Sequence, residues 1–190
     1  MRLYAEQHRH YHNARHIGEC LKEFDSVREL AGQPLAVELA IWFHDAIYDP
    51  HASDNEERSA GLAGQFLSSA GLGRQFQEPV ARLVLATKQH DGSLHPDAPL
   101  LVDVDLSILG QPPERFWQYE NQIRAEYEWV PNEVFATRRA EILEQFLARK
   151  RIYSTDNFFR KYEAQARMNL RASVENLRGG SSISGISGAK

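Results

Sequence analysis

Cysteine is nearly missing from this 190-residue chain: its one thiol, Cys20, falls between Ile17 and Leu21 in an apolar helical pattern. That setting suits a small buried thiol and not a nucleophile or half of a disulfide. No apolar run approaches the roughly 18 to 20 residues that a membrane span needs. The start, Met1 to His8, lacks the basic-then-apolar layout of a secretory leader, so a cytoplasmic protein is expected. Positive charge is not in excess either. A net charge of −4 speaks against a broad footprint for duplex nucleic acid and leaves small anionic substrates as the easier partners. Convincing alternation of apolar and polar residues over strand length is absent, and no repeat period emerges.

What the sequence has is helical periodicity, in a length that fits one domain with a real core. Ile17, Cys20, Leu21, Phe24 and Val27 mark a first helix, stopped by Gly32 and Pro34. From Pro34 the residues Leu35, Leu39, Ile41, Trp42, Phe43 and Ile47 make a helix apolar on most faces, and the pair His44-Asp45 is expected inside it. Ser53-Asp54-Asn55-Glu56 reads as a capping box that opens a third helix, running through about Ala70. A fourth is expected over about 75–88. Gly92, Pro96 and Pro99 then make a loop of Gln89 to Leu101, which carries His90 and His95. A short apolar helix follows from Val102 to Leu109, ending at Gly110.

Prolines 112, 113 and 131 place helices over about 113–128 and 132–149. The second of these would bury Val134, Phe135, Ile142, Leu143, Phe146 and Leu147. A last helix, about 156–177, lines up Phe159, Tyr162, Ala166, Leu170, Val174 and Leu177. A Gly/Ser-rich tail beginning at Gly179 is expected to be flexible. The expected class is all-α, a single-domain helical bundle over residues 1–178 with a tail at 179–190.

Chemistry points first to His44-Asp45. Burying an imidazole beside a carboxylate costs several kcal/mol unless something compensates both, and a metal ion does so. Adjacent helical residues differ by about 100° around the axis, so further ligands must come from other elements. His12 and His16, four apart, share a helical face if their helix starts early enough, and Asp103 and Asp105 open the short apolar helix. Two imidazoles with two carboxylates suit Mn²⁺, Mg²⁺, Fe²⁺, Co²⁺, Ni²⁺ or Zn²⁺ and leave room for water and a phosphate oxygen.

The order His16, His44-Asp45 and a distant aspartate resembles the HD superfamily of metal-dependent phosphohydrolases. Four stretches look like one bacterial branch of it: Tyr11-His12-Asn13-Ala14-Arg15-His16, Leu39 to Tyr48, Asn55 to Ala60, and Asp103-Val104-Asp105-Leu106-Ser107-Ile108-Leu109-Gly110. Together they span most of residues 1–178. The resemblance implies an HD-type, phosphodiesterase-like helical fold. It implies metal ligands at His16, His44, Asp45 and Asp105, with Asp103 the alternative closing ligand. It implies hydrolysis of a phosphate ester, of a nucleotide or related small metabolite, by a metal-activated water.

The Tyr-His-Asn-x-x-His pattern is similar to that of cyclic-nucleotide phosphodiesterases, which makes His12 a general acid toward the leaving oxygen; an imidazole can hold or release a proton near neutrality. HD enzymes with two metals place extra histidines where His90 and His95 stand, so one ion or two is implied. The same resemblance admits a di-iron oxygenase and a non-catalytic nucleotide-binding module.

Other residues carry two readings. Glu56 closes the capping box, whereas Glu57 can lie near the metal. Arg15 and Lys88 suit phosphate recognition, although a lysine near a helix C-terminus also complements the dipole. His8, His10 and His51 read as solvated; Trp42 and Phe43 read as core, and Tyr48, near the helix end, as a pocket wall.

Overall fold

A computed structural model of the protein describes residues 2–90 and 92–180. Among them the α-helices are α1 (Ala14–Asp25), α2 (Pro34–Phe43), α3 (Asn55–Ser69), α4 (Arg74–Thr87), α5 (Ala98–Asp105), α6 (Pro113–Glu126), α7 (Asn132–Ala148) and α8 (Asp156–Gly180). Short 3-10 segments cover Leu3–Ala5, Arg28–Leu30 and Leu106–Gly110. No strand occurs among the described residues, so the protein is all-α. Among the described residues no helix is long and apolar enough to cross a membrane. Residues 181–190, most of the expected flexible tail, lie outside the described residues, and α8 itself continues to Gly180.

Contacts sort the chain into two compact units, Met1–Ser107 and one that begins at Ile108. In the first, α2 is the hub, packed on α1, α3, α4 and α5. Its apolar sequence explains the position: Ala36, Val37, Ala40 and Ile41 are buried, and only the first-turn Leu35 stays exposed. α3 packs on α4, and Gly71 between them takes a left-handed φ of 77°, which lets the chain turn without a Cβ penalty. Asp97 ties the loop before α5 to the start of α2, accepting the N–H groups of Gly32 and Gln33 at 2.8 Å each.

In the second unit α7 packs on α8, and Leu143, Phe146, Tyr162, Ala166 and Leu170 are buried. Arg139 is buried as well, donating to Glu120 and to the Tyr119 hydroxyl, while Ser173 donates to Glu120. Glu163 accepts the N–H groups of Ile152 and Tyr153. Asn169 donates to the carbonyls of Leu109 and Gln111, at 2.8 Å each, and Gly110 stands so close to Tyr162 that a Cβ there would clash with it.

Several expectations are corrected. His44-Asp45 is not inside α2: the helix ends at Phe43, His44 is its C-cap, and Asp45 lies in the turn beyond. α5 begins at Ala98, before Val102, because Pro99 occupies a first-turn position where its missing N–H does no harm. Asp103 and Asp105 therefore stand at the end of their helix, not its start. The capping box does not form: Asp54 is the N-cap of α3 and makes no side-chain cap bond. Val134 and Ile142 on α7, and Phe159 on α8, are exposed; Arg139, Ala140 and Phe158 are buried.

Candidate metal centre

The site is built where α2 stops. A helix end leaves four carbonyls without intrahelical partners, and here each has one. The Ala40 carbonyl takes the His44 N–H at 2.8 Å, and the Phe43 carbonyl takes the Ala46 N–H at 3.0 Å. The Trp42 carbonyl accepts from the Tyr4 hydroxyl at 2.7 Å. The Ile41 carbonyl accepts from His44 Nδ1 at 2.9 Å. This last bond fixes the imidazole: a carbonyl cannot donate, so Nδ1 carries the proton and Nε2 of the neutral ring carries the lone pair.

The turn after His44 is held from two sides. On α3, Ser59 Oγ accepts the Ile47 N–H at 3.0 Å, and Asn55 bonds both the N–H and the carbonyl of Asp49. From the N-terminal side, Arg9 donates to the carbonyls of Asp45 and Ala46. His44 keeps helical φ and ψ as the C-cap, Asp45 lies in the turn beyond it, and the two adjacent side chains reach one place.

His16, in the first turn of α1, and Asp105, at the end of α5, meet them there. His16 Nε2 lies 3.2 Å from His44 Nε2, 3.2 Å from Asp105 Oδ1 and 3.4 Å from Asp45 Oδ2. His44 Nε2 lies 3.0 Å from Asp45 Oδ2 and 3.5 Å from Asp105 Oδ1. His16 and His44 are buried, while the Asp45 and Asp105 side chains keep 18% exposure, so the cluster opens on its carboxylate side.

Donors about 2.1 Å from a shared ion stand ~3.0 Å apart at right angles and ~3.4 Å apart in a tetrahedron. Four of the five observed spacings fall in that range, and the fifth, His44 to Asp105, is 3.5 Å. His16, His44 and Asp105 form a group whose ligand atoms all lie within 4.8 Å of one another, and this group can chelate a metal ion. Asp45 contacts both imidazoles of that group without being one of the three.

Charge is exchanged within the cluster. Burial opposes the cationic form of His16, but Cys20, Tyr11, Asp105 and Asp45 together hold it well above the ordinary imidazole range. For His44 burial is likewise outweighed, by Asp45 and Asp105. Burial would push the Asp45 carboxyl up; His44, His12 and His16 hold it well below the usual range. Asp105 is held down against burial by His16, His44 and His90.

The remaining sequence-selected residues divide. His12 precedes α1, whose N-cap is Asn13, so it does not share a helical face with His16; its ring stacks on Tyr48 at 4.1 Å, with its centroid 6.1 Å from that of His16. His90 Nε2 stands 3.7 Å from Asp105 Oδ2, on a backbone with φ of +52°, uncommon for any residue but glycine. His95 is turned to structure, its Nδ1 accepting the Asp97 N–H at 3.0 Å. Asp103 is fully buried and outside the chelating group. Arg15 pairs with Glu19 on the exposed face of α1. Glu57 and Lys88 pair with each other, the lysine also donating to the Ser53 carbonyl; their hydrogen bond lowers the carboxyl and raises the ammonium.

Arg9 and Tyr4 were not evident from the sequence, and Asn55 and Ser59, though within the stretch Asn55 to Ala60 singled out there, were given no role at the site. Arg9 sits in the polar run Glu6-Gln7-His8-Arg9-His10, which looks solvated. Compared with protein-family models, with curated proteins and with solved structures, the chain matches none.

Proposed function

We propose that this protein is a metal-dependent phosphohydrolase of the HD type, acting on a phosphate ester of a nucleotide or related small metabolite. The observation that carries the reading is the convergence of two imidazole nitrogens and two carboxylate oxygens at 3.0 to 3.5 Å, on the residues at which the HD resemblance puts its ligands. His16, His44 and Asp105 would hold the ion with Asp45 as the fourth ligand. A divalent ion there supplies Lewis acidity toward a phosphate oxygen and lowers the pKa of water.

The chain's own groups do the rest. The Ile41 carbonyl keeps His44 in the tautomer that ligates through Nε2. The carboxylates accept hydrogen bonds on the open side of the cluster and hold a water there. His12, fixed by its stack on Tyr48, delivers a proton to the leaving oxygen. Asp105 turns Oδ1 to the two imidazoles and Oδ2 to His90, which favours a second ion between Asp105 and His90 in the two-metal variant of this reading.

The test is turnover of bis-(p-nitrophenyl) phosphate and a panel of nucleotides under Mn²⁺, Mg²⁺, Co²⁺, Ni²⁺, Fe²⁺ and Zn²⁺. His12→Asn should lower turnover about 10²–10⁴-fold, the range for a lost general acid, while keeping the metal. Metal retention with no hydrolysis of any phosphate ester would defeat the reading.

A further inference from the structure

Arg9 is a buried cation at a place where the proposed chemistry has no use for one. Its side chain is 1% exposed, and the partner carboxylate, Glu6, is 41% exposed. Nε donates to Glu6 Oε2 at 2.8 Å. Nη1 donates to the His12 carbonyl at 3.0 Å and the Asp45 carbonyl at 2.6 Å, and Nη2 to the Ala46 carbonyl at 3.0 Å. The guanidinium carbon lies 5.3 Å from the Tyr4 ring centre and 5.6 Å from that of Tyr48, the ring on which His12 stacks.

The three carbonyls belong to two chain segments separated in sequence, and each segment carries site groups. One ends with His12 and leads into His16; the other is the turn of Asp45. Carbonyl oxygens gathered at one point repel, and a buried one left unpaired is costly, so this approach of the two segments requires a donor between them. A planar fork with donors on several nitrogens meets that need, and a lysine ammonium, a point charge on a flexible stem, does not.

We infer that Arg9 is a positioning residue for the metal centre: it sets the spacing between the His12 segment and the Asp45 turn, and thereby the placement of the Asp45 carboxylate at His16 and His44. The inference rests on the metal-centre reading above and is independent of the reaction proposed for it. Partners that orient ligands in this way change metal affinity or activity by about 10–100-fold when removed.

The experiment uses the full chain loaded with Co²⁺, whose visible bands report ligand geometry, together with competition against a chelator. Arg9→Lys and Arg9→Met should weaken Co²⁺ affinity about 10–100-fold and shift the visible bands, with the helical circular dichroism of the metal-free proteins retained. Glu6→Gln, which keeps an acceptor for Nε, should leave affinity and bands as in wild type. Should Arg9→Met fail to fold, Arg9→Lys decides. Wild-type bands and affinity in Arg9→Lys would overturn the inference while leaving the centre standing; a wild-type protein that takes up no Co²⁺ would overturn both.

Discussion

The Nε2 atoms of His16 and His44 face each other across 3.2 Å. His44 gives its Nδ1 proton to the Ile41 carbonyl, so in its neutral form a lone pair points at His16. That lone pair is met by a proton on His16 Nε2 or by a metal ion, and where the pair carries positive charge the flanking Asp45 and Asp105 balance it.

Metal retention should follow this geometry. Wild-type protein reloaded with Mn²⁺ and desalted should hold about one ion per chain, or two if His90 joins. His44→Ala, Asp45→Ala and Asp105→Ala should lose it with helical content nearly unchanged, and Asp103→Asn should keep it. Elemental analysis decides, and an Asp45→Ala variant with full metal content would remove Asp45 from the ligand set.

Metal uptake should release protons. The surroundings of His16 and His44 raise both and so favour the protonated imidazoles, with which an ion must compete, so apparent affinity should rise with pH. Calorimetric titration in two buffers of different ionisation enthalpy measures the release; equal enthalpies in both would contradict it. In metal-free protein the raised imidazoles contribute stability that is full below about 6.5 and is lost as pH rises through their folded-state values. The lowered carboxyls of Asp45 and Asp105 contribute stability that is present above their ordinary range and lost as pH falls through theirs. The melting temperature in chelator should therefore decline on both flanks.

Gly110→Ala should destabilise the protein by about 1–3 kcal/mol, the usual range for overpacking. Its new Cβ would stand 2.5 Å from Tyr162 Cβ and 2.8 Å from Cδ1. Because the nearest atom is a Cβ, adding Tyr162→Ala should not rescue the variant. Urea unfolding measures both, and rescue by Tyr162→Ala would show that the ring alone obstructs.

Arg139→Met should cost about 3–5 kcal/mol, because it leaves the buried Glu120 carboxylate without its cation. Pairing it with Glu120→Leu should recover much of the loss, since an apolar replacement of both partners removes the uncompensated charge. A double-mutant cycle in denaturant tests the coupling, and additive losses would argue against it.

Helix number and class were legible because the apolar spacing of each segment is strong, and prolines 34, 113 and 131 mark starts that the structure keeps within a residue. The end of α2 was not legible. Ala46 and Ile47 continue the apolar pattern with no glycine or proline before Pro50, and the helix stops because Tyr4, Arg9 and Ser59, all remote, satisfy the carbonyls and amides that the turn exposes. His16 and Asp105 were chosen through the HD resemblance, whereas the pair His44-Asp45 was legible from residue types alone, since burial of histidine and aspartate demands compensation. The choice of Asp105 over Asp103 was not, as it depends on which way the last turn of α5 faces. Ser53 looked like a cap because spacing says nothing of Lys88, which takes its carbonyl. On α7 the misplaced Val134 and Ile142 show the limit of periodicity: Arg139 enters the core through Glu120, a partner no stripe reveals.

The donors at His16, His44 and Asp105 come from two helices and the C-cap of a third and meet only in the assembled unit. An unfolded chain cannot gather them, so an ion held there binds the native state alone and deepens it by about 1.4 kcal/mol for each tenfold of free ion above the dissociation constant. Scarcity of metal would thus shorten the lifetime of the protein in the cell, through faster loss of its folded population to proteases, before it touched the rate of any reaction.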